Sequence, residues 1–196
     1  MKYFIDTEFI EGFHKPLFGK RRHFIDLISI GIMAEDGREY YAISNEFNPK
    51  DADNWVKENV ISKLPSKYAN PSDPSISPRS KAEAMLWKSN EQIKLEILEF
   101  FGCWRDQLFY RAPEGIEVYG YYADYDWVLF CSLFGRMIDL PKGFPMYCKD
   151  LKQMMDEKGL SKDWKQLNCP DPVGEHNALV DARWNKTLFD TINQTK

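Results

Sequence analysis

The sequence contains no apolar run approaching the ~20 residues that a membrane-spanning helix requires, so no such span is expected. Its N-terminus, MKYFIDTEF, carries Asp6 and Glu8 and no apolar core, and does not read as a secretory leader. Cysteine is sparse: Cys103, Cys131, Cys148 and Cys169 lie 28, 17 and 21 residues apart with no Cys-x-x-Cys pair. That spacing suggests neither a disulfide framework nor a zinc site, and reduced thiols in a cytoplasm are the expectation. Histidine is scarcer still, with three in the chain, and there is no internal repeat. Net positive charge is also missing: the formal net charge is −4 and the sequence pI is about 5.5. A protein that binds nucleic acid mainly by neutralising phosphates is usually basic. Either nucleic acid is not the ligand, or the acidity is concentrated where metal ions offset it.

What is present suits one globular domain spanning 1–196: 196 residues, 43% hydrophobic and 15% aromatic. KYFIDTEFI is a β-branched and aromatic run that reads as a strand. A basic stretch over 11–23 follows, read as a loop. FIDLISIGIMA and REYYAISNEF flank Asp36-Gly37, a strong hairpin signal. Residues 49–64 predict a short helix around Trp55 and Val60, and the Pro- and Ser-rich 65–80 predicts a loop. Ser89 and Gln92 form a capping box opening a helix with Ile93, Ile97, Phe101, Trp104 and Leu108 on one stripe. IEVYGYY is a buried-type strand, and DYDWVLFCSLFG a helix closed by Gly135. FPMYC reads as a fifth strand, followed by a helix capped by Asp150 and ended by Gly159. The last helix runs from about Ala178 to Ile192, with Val180, Trp184 and Leu188 facing inward. The expected fold is α/β: a mixed five-stranded sheet, an antiparallel three-strand meander then parallel strands, with helices on both faces.

Side chains alternate along a strand, so Asp6 and Glu8 project from one face of the first strand. Two like charges side by side are costly in a strand unless a divalent ion sits between them. Taken alone, the pair reads equally as the solvated face of an edge strand. Asp126 follows IEVYGYY at a strand's C-terminal end, where α/β sheets commonly place ligands, although Asp124 or Asp126 could simply cap the next helix. His176 precedes the last helix and Asp181 lies one turn inside it, flanking its apolar side.

Together and in this order, these residues resemble the DEDDh exonucleases of the ribonuclease H-like superfamily. Their Asp-x-Glu motif is FIDTEF here, with Asp6 and Glu8. Their aromatic-Asp pair is Tyr125-Asp126, which leaves Asp124 as a neighbour. Their His-x4-Asp motif is HNALVD, with His176 and Asp181. Many relatives carry Asn four residues before the second-motif Asp; this chain has Tyr122. A closer resemblance covers most of the chain: YFIDTEFIE, LISIGIMAEDGREYYAISNEF, WVKENVISKLP, YYADYDWVLFCSLFG and EHNALVDARWN are similar to the polyadenylate-specific exoribonucleases of the ribonuclease AS type. AEDGREYYAIS favours that subfamily over oligoribonuclease or a polymerase proofreading subunit. The segments 12–23 and 65–80 depart from it.

The resemblance implies a ribonuclease H-like sheet and a 3′→5′ exoribonuclease acting on single-stranded RNA, with adenine-rich RNA as the candidate substrate. Asp6, Glu8, Asp126 and Asp181 would hold two Mg²⁺ or Mn²⁺ ions, hard cations that prefer carboxylate oxygen. His176 would serve as general base, a role suited to an imidazole near neutral pH. Two such ions would offset four carboxylates, reconciling an acidic chain with a nucleic-acid substrate. Thr7, Phe9 and Trp55 are the expected substrate contacts, the aromatics by stacking on bases. Phe9 and Trp55 read equally as core, and the basic stretch either tracks phosphates or is plain solvated loop. The resemblance also implies homodimers. Other readings are a DNA exonuclease, a catalytically silent nucleic-acid-binding module of the same fold, and an acidic domain holding one structural Ca²⁺.

Overall fold

The computed structural model describes residues 1–14, 18–67 and 72–195. Strand β1 (Lys2–His14) pairs antiparallel with β2 (Arg22–Ala34), and β2 pairs antiparallel with β3 (Glu39–Ser44) through the Asp36-Gly37 turn. Gly37 takes φ 94° there, the left-handed conformation a tight turn favours. Short strands β4 (Trp87–Lys88), β7 (Glu117–Gly120) and β8 (Lys149–Asp150) run parallel to their neighbours. The sheet order is β4-β3-β2-β1-β7-β8, with β1 central, and β5 (Trp104–Asp106) and β6 (Phe109–Arg111) form a separate two-stranded hairpin.

The helices are α1 (Asn54–Asn59), α2 (Pro78–Ala84), α3 (Asn90–Phe100), α4 (Asp124–Ser132), α5 (Leu151–Glu157), α6 (Lys162–Asn168) and α7 (Ala178–Gln194). They cover both faces of the sheet. On one face Tyr3 and Ile5 of β1 pack with Ile93 and Ile97 of α3 and Phe130 of α4. On the other, Phe4 packs with Leu151 and Met155 of α5 and Leu188 and Ile192 of α7. None of the described helices is long and apolar enough to cross a membrane.

The α/β architecture and the meander match expectation, but the described residues form six main-sheet strands rather than five. The added strand β4 has two residues, too short to show periodicity. FPMYC is not itself the last strand; β8 begins just after it, because Pro145 lacks a donor for the ladder and Met146 and Tyr147 turn outward. Helix α3 opens on the expected capping box, with Ser89 accepting from the Gln92 amide, but stops at Phe100. Gly102 at φ 70° closes it, and the Cys103 amide donates back to the Leu98 carbonyl at 2.8 Å. Trp104 and Leu108 therefore leave the helix stripe and stand exposed at the β5–β6 hairpin.

At both ends of the stretch 11–23, residues 11–14 and 22–23 are strand rather than loop: β1 and β2 stay paired out to His14 opposite Arg22. Ring pairs support the arms, His14 on Phe24 at 4.2 Å and Phe13 edge-on to His23 at 5.5 Å. Lys15 lies outside the described residues, as do 68–71 of the Pro/Ser segment; the end of that segment starts α2 at Pro78, capped by Ser77. In α7 the buried residues are Ala178, Ala182, Asn185, Leu188 and Ile192, with Val180 and Trp184 half-buried. The sequence reading also missed α6, a short helix capped by Ser161.

Candidate active site

β1 sets the geometry. From Phe4 to Glu8 its even-numbered side chains face α7 and its odd-numbered ones face α4, as Phe4 and Ile5 show by joining opposite cores. Asp6 and Glu8 thus emerge toward α7, where Asp181 sits in the first turn. One carboxylate oxygen from each of Asp6, Glu8 and Asp181 lies within 4.8 Å of the others. Thr7 turns to α4 and meets Asp126: its amide and hydroxyl both donate to Asp126 Oδ1, at 2.8 and 2.6 Å. Three carboxylates therefore converge tightly, while Asp126 is tethered beside them, on the wall of the same cleft.

Two devices bring α7 this close. Gly31 of β2 faces Asp6 across the ladder, and a Cβ there would stand 2.1 Å from the Ala178 carbonyl oxygen. Only glycine lets the first turn of α7 lie against the sheet. Further along, the buried Asn185 donates from Nδ2 to the Ile5 carbonyl at 2.8 Å, fixing α7 to the residue before Asp6. An Asn on the otherwise apolar buried stripe of α7 was the available signal for this role, and it went unread. The β1–β2 register also slips by one residue between Glu8 and Phe9, leaving Ile28 unpaired. Such a bulge re-aims a strand next to a site.

His176 ends the preceding loop at φ 67°, and its amide donates to Asp181 Oδ2 at 2.9 Å. Asn177 caps α7, its side chain accepting from the amides of Leu179 and Val180. The His176 ring stands edge-on to Trp55, centroids 4.8 Å apart. Trp55 is 53% exposed, and Phe9 is half-buried with its ring 5.4 Å from Tyr125. Both expected aromatic contacts thus stand beside the carboxylates. Thr7 is buried and its hydroxyl is taken up by Asp126, so its side chain holds a carboxylate in place.

The cleft has a volume of about 890 Å³. A smaller pocket of about 370 Å³ adjoins it, with Glu8, Phe9 and Tyr125 as common wall and Trp55 lining the smaller one alone. Tyr121, Tyr122, Lys152 and Lys162 line the larger cleft alone. Tyr122, at the position where the resemblance leads to an expectation of Asn, adopts φ 56°. That is a left-handed backbone Asn tolerates well and a bulky residue adopts only with strain.

The electrostatics of the four carboxylates would suit a bound cation. Burial, then repulsion from Asp126, Glu8 and Asp181, holds the Asp6 carboxyl well above its usual range. Burial pushes Glu8 up to about 8, with Asp181 and Asp126 adding repulsion. Burial also lifts Asp126 to about 6 against the two Thr7 donors, and Asp181 to about 6 against the His176 amide. Among the described residues no salt bridge to Lys, Arg or His neutralises any of the four. Lys63 opposes the shift of Glu8 from a distance, and clustered acids without a salt-bridging cation offer the oxygen donors that a hard divalent ion requires.

Fold and cleft together describe an α/β domain with a carboxylate cluster fit for divalent ions on its central strand. Comparison with known proteins narrows this. Residues 1–193 match the model of the Rv2179c-like 3′-5′ exoribonuclease domain, and the chain belongs to that family. Two similar relatives, each 38% identical over 195 residues covering 100% of this chain and 95% of the relative, come from two strains of Mycobacterium tuberculosis. They are the 3′-5′ exoribonuclease MT2234.1 of strain CDC 1551 and the 3′-5′ exoribonuclease Rv2179c of strain H37Rv.

Proposed function

We propose that this protein is a metal-dependent 3′→5′ exoribonuclease of the DEDDh, ribonuclease H-like kind, removing nucleotides from the 3′ end of single-stranded RNA. The observation that carries the proposal is the convergence of Asp6, Glu8 and Asp181 within 4.8 Å, with Asp126 and His176 on the same cleft. The exoribonuclease names of its full-length relatives support it.

Asp6, Glu8, Asp126 and Asp181 are the residues that would hold two Mg²⁺ or Mn²⁺ ions. Bound there, the ions would supply Lewis acidity, easing ionisation of a water and offsetting charge on the phosphate. The protein's own groups do the rest. Thr7 orients Asp126 through its hydroxyl and amide. The His176 amide orients Asp181, and a ring nitrogen of His176 takes the proton of the attacking water. Water oxygen bonds to phosphorus, the bond to the 3′-oxygen of the preceding nucleotide breaks, and a nucleoside 5′-monophosphate leaves. Phe9 and Trp55 flank the smaller pocket, where the terminal base would find aromatic faces. By resemblance to the ribonuclease AS type the enzyme works as a homodimer on adenine-rich RNA, and its four unpaired cysteines suit a cytoplasmic location.

Incubation of 5′-labelled RNA and DNA oligomers, poly(A) and poly(U) tests the reading. The expected result is one-nucleotide shortening of RNA from the 3′ end, faster on poly(A). Internal cuts would contradict the exonuclease reading, equal rates on RNA and DNA the RNA preference, and equal rates on the two homopolymers the adenine preference.

A further inference from the structure

The larger cleft has an aromatic feature that hydrolysis of the terminal bond leaves unused. Tyr122 is 63% exposed, more than any other tyrosine lining the cleft. It is nevertheless not loose. Its ring packs edge-on to Tyr121, centroids 4.6 Å apart. Tyr121 is pinned in turn by the Trp184 ring at 5.2 Å and by Lys165 Nζ 5.3 Å from its centroid. Lys165 is itself buried and paired with Asp171. A rigid scaffold thus presents one exposed ring to the cleft.

The backbone agrees. Tyr122 sits at φ 56° in the turn between β7 and α4, and a bulky residue adopts that conformation at a cost. Backbone strain held in place by its surroundings gathers at functional sites.

Position completes the case. Glu8 lines both pockets, so the two meet at the edge of the carboxylate cluster, while Asp6, Asp126 and Asp181 line the larger one. Phe9, Tyr125 and Trp55 surround the smaller pocket; Tyr121 and Tyr122 belong to the larger one alone. Lys162, exposed and without a carboxylate partner among the described residues, lines that same cleft and offers a charge to phosphate.

We propose that Tyr122 is a stacking platform for a base of the single-stranded RNA upstream of the scissile bond. The proposal rests on the exoribonuclease reading and adds a length-reading contact to it. Stacking of a base on an aromatic face is indifferent to base identity. It would therefore favour longer RNA over short fragments without selecting sequence.

The test compares a seven-nucleotide RNA with the p-nitrophenyl ester of a nucleoside 5′-monophosphate, which has no upstream base. The readout is the factor by which the RNA is preferred in kcat/KM. Tyr122→Asn, whose new side chain suits the left-handed backbone, is expected to shrink that factor about tenfold, through KM. Tyr122→Phe is expected to retain it. An unchanged factor in Tyr122→Asn, or an equal loss in Tyr122→Phe, would overturn the proposal. Wild-type protein that leaves RNA uncut would instead sink the exoribonuclease reading on which it rests.

Discussion

Substituting Gly31 by alanine is the sharpest perturbation of this site that touches none of its carboxylates. The added Cβ would stand 2.1 Å from the Ala178 oxygen and 2.4 Å from the Leu179 nitrogen, both backbone atoms of the first turn of α7. Restoring an ordinary 3.4 Å contact to that oxygen requires α7 or β2 to yield by about 1.3 Å. Overpacking of this kind costs about 1–3 kcal/mol, so the thermal midpoint should fall by several degrees. The functional effect should be larger. Asp181 lies on the displaced turn, and the three-carboxylate cluster spans only 4.8 Å. Displacement of a reacting group by about 1 Å can cost 10²-fold in rate. Measuring kcat on labelled RNA, beside a thermal melt, checks both. Gly37→Ala serves as the control, since its Cβ would meet nothing within 4 Å and only backbone strain at φ 94° remains. Full activity and an unmoved midpoint in Gly31→Ala would refute the claim that this glycine sets the site.

Thr7→Val keeps the shape and the amide donor but removes the 2.6 Å hydroxyl donor to Asp126. Turnover should fall and the acidic limb of the pH–rate profile should move to higher pH; an unmoved limb would contradict the tether. His176→Ala should cut turnover by about 10²–10⁴-fold while leaving metal binding intact. His176→Asn, suited to the backbone at φ 67°, should be equally slow, and a fast His176→Asn would reject the general-base role. Metal-free protein should lose stability as pH rises from about 4 to 8. Glu8 at about 8 and Asp126 and Asp181 at about 6 all lie above their unfolded values, so the folded state binds more protons in that window. Their contribution is complete below the unfolded carboxylate range and is lost as pH passes the folded values. Added Mg²⁺ or Mn²⁺ should therefore raise the melting midpoint more at about pH 8.5 than at about pH 5. A metal-free midpoint that climbs over that interval would contradict this electrostatic reading.

Much of the site can be read from local sequence because two short-range rules govern it. Strand alternation puts Asp6 and Glu8 on one face, and helical spacing puts His176 and Asp181 at one helix start. The capping box at Ser89 and the Asp36-Gly37 turn are equally local. What stayed hidden depends on distant partners. Nothing near Gly31 announces that Ala178 will press against it, and LISIGIMA reads as an ordinary strand. Thr7 finds Asp126 across 119 residues, and no pattern in DTEF forecasts it. Strand β4 exists because Ile43 and Ser44 pair with Trp87 and Lys88, not because two residues carry a period. The β5–β6 hairpin escaped because the stripe from Ile93 continues through Trp104 and Leu108 on paper, whereas Gly102 ends the helix before it reaches them.

If Asp6, Glu8, Asp126 and Asp181 form a divalent-ion site that drives phosphodiester cleavage, ion binding and cleavage must fail together. Calorimetric titration of the metal-free protein with Mn²⁺, run beside an RNA cleavage assay on the same sample, tests it directly. The expected result is up to two ions per chain, binding lost or strongly weakened in Asp6→Asn and Asp181→Asn, and cleavage that stops in EDTA and returns with Mn²⁺. Undiminished cleavage in EDTA, or ion binding unaffected by both substitutions, would contradict it.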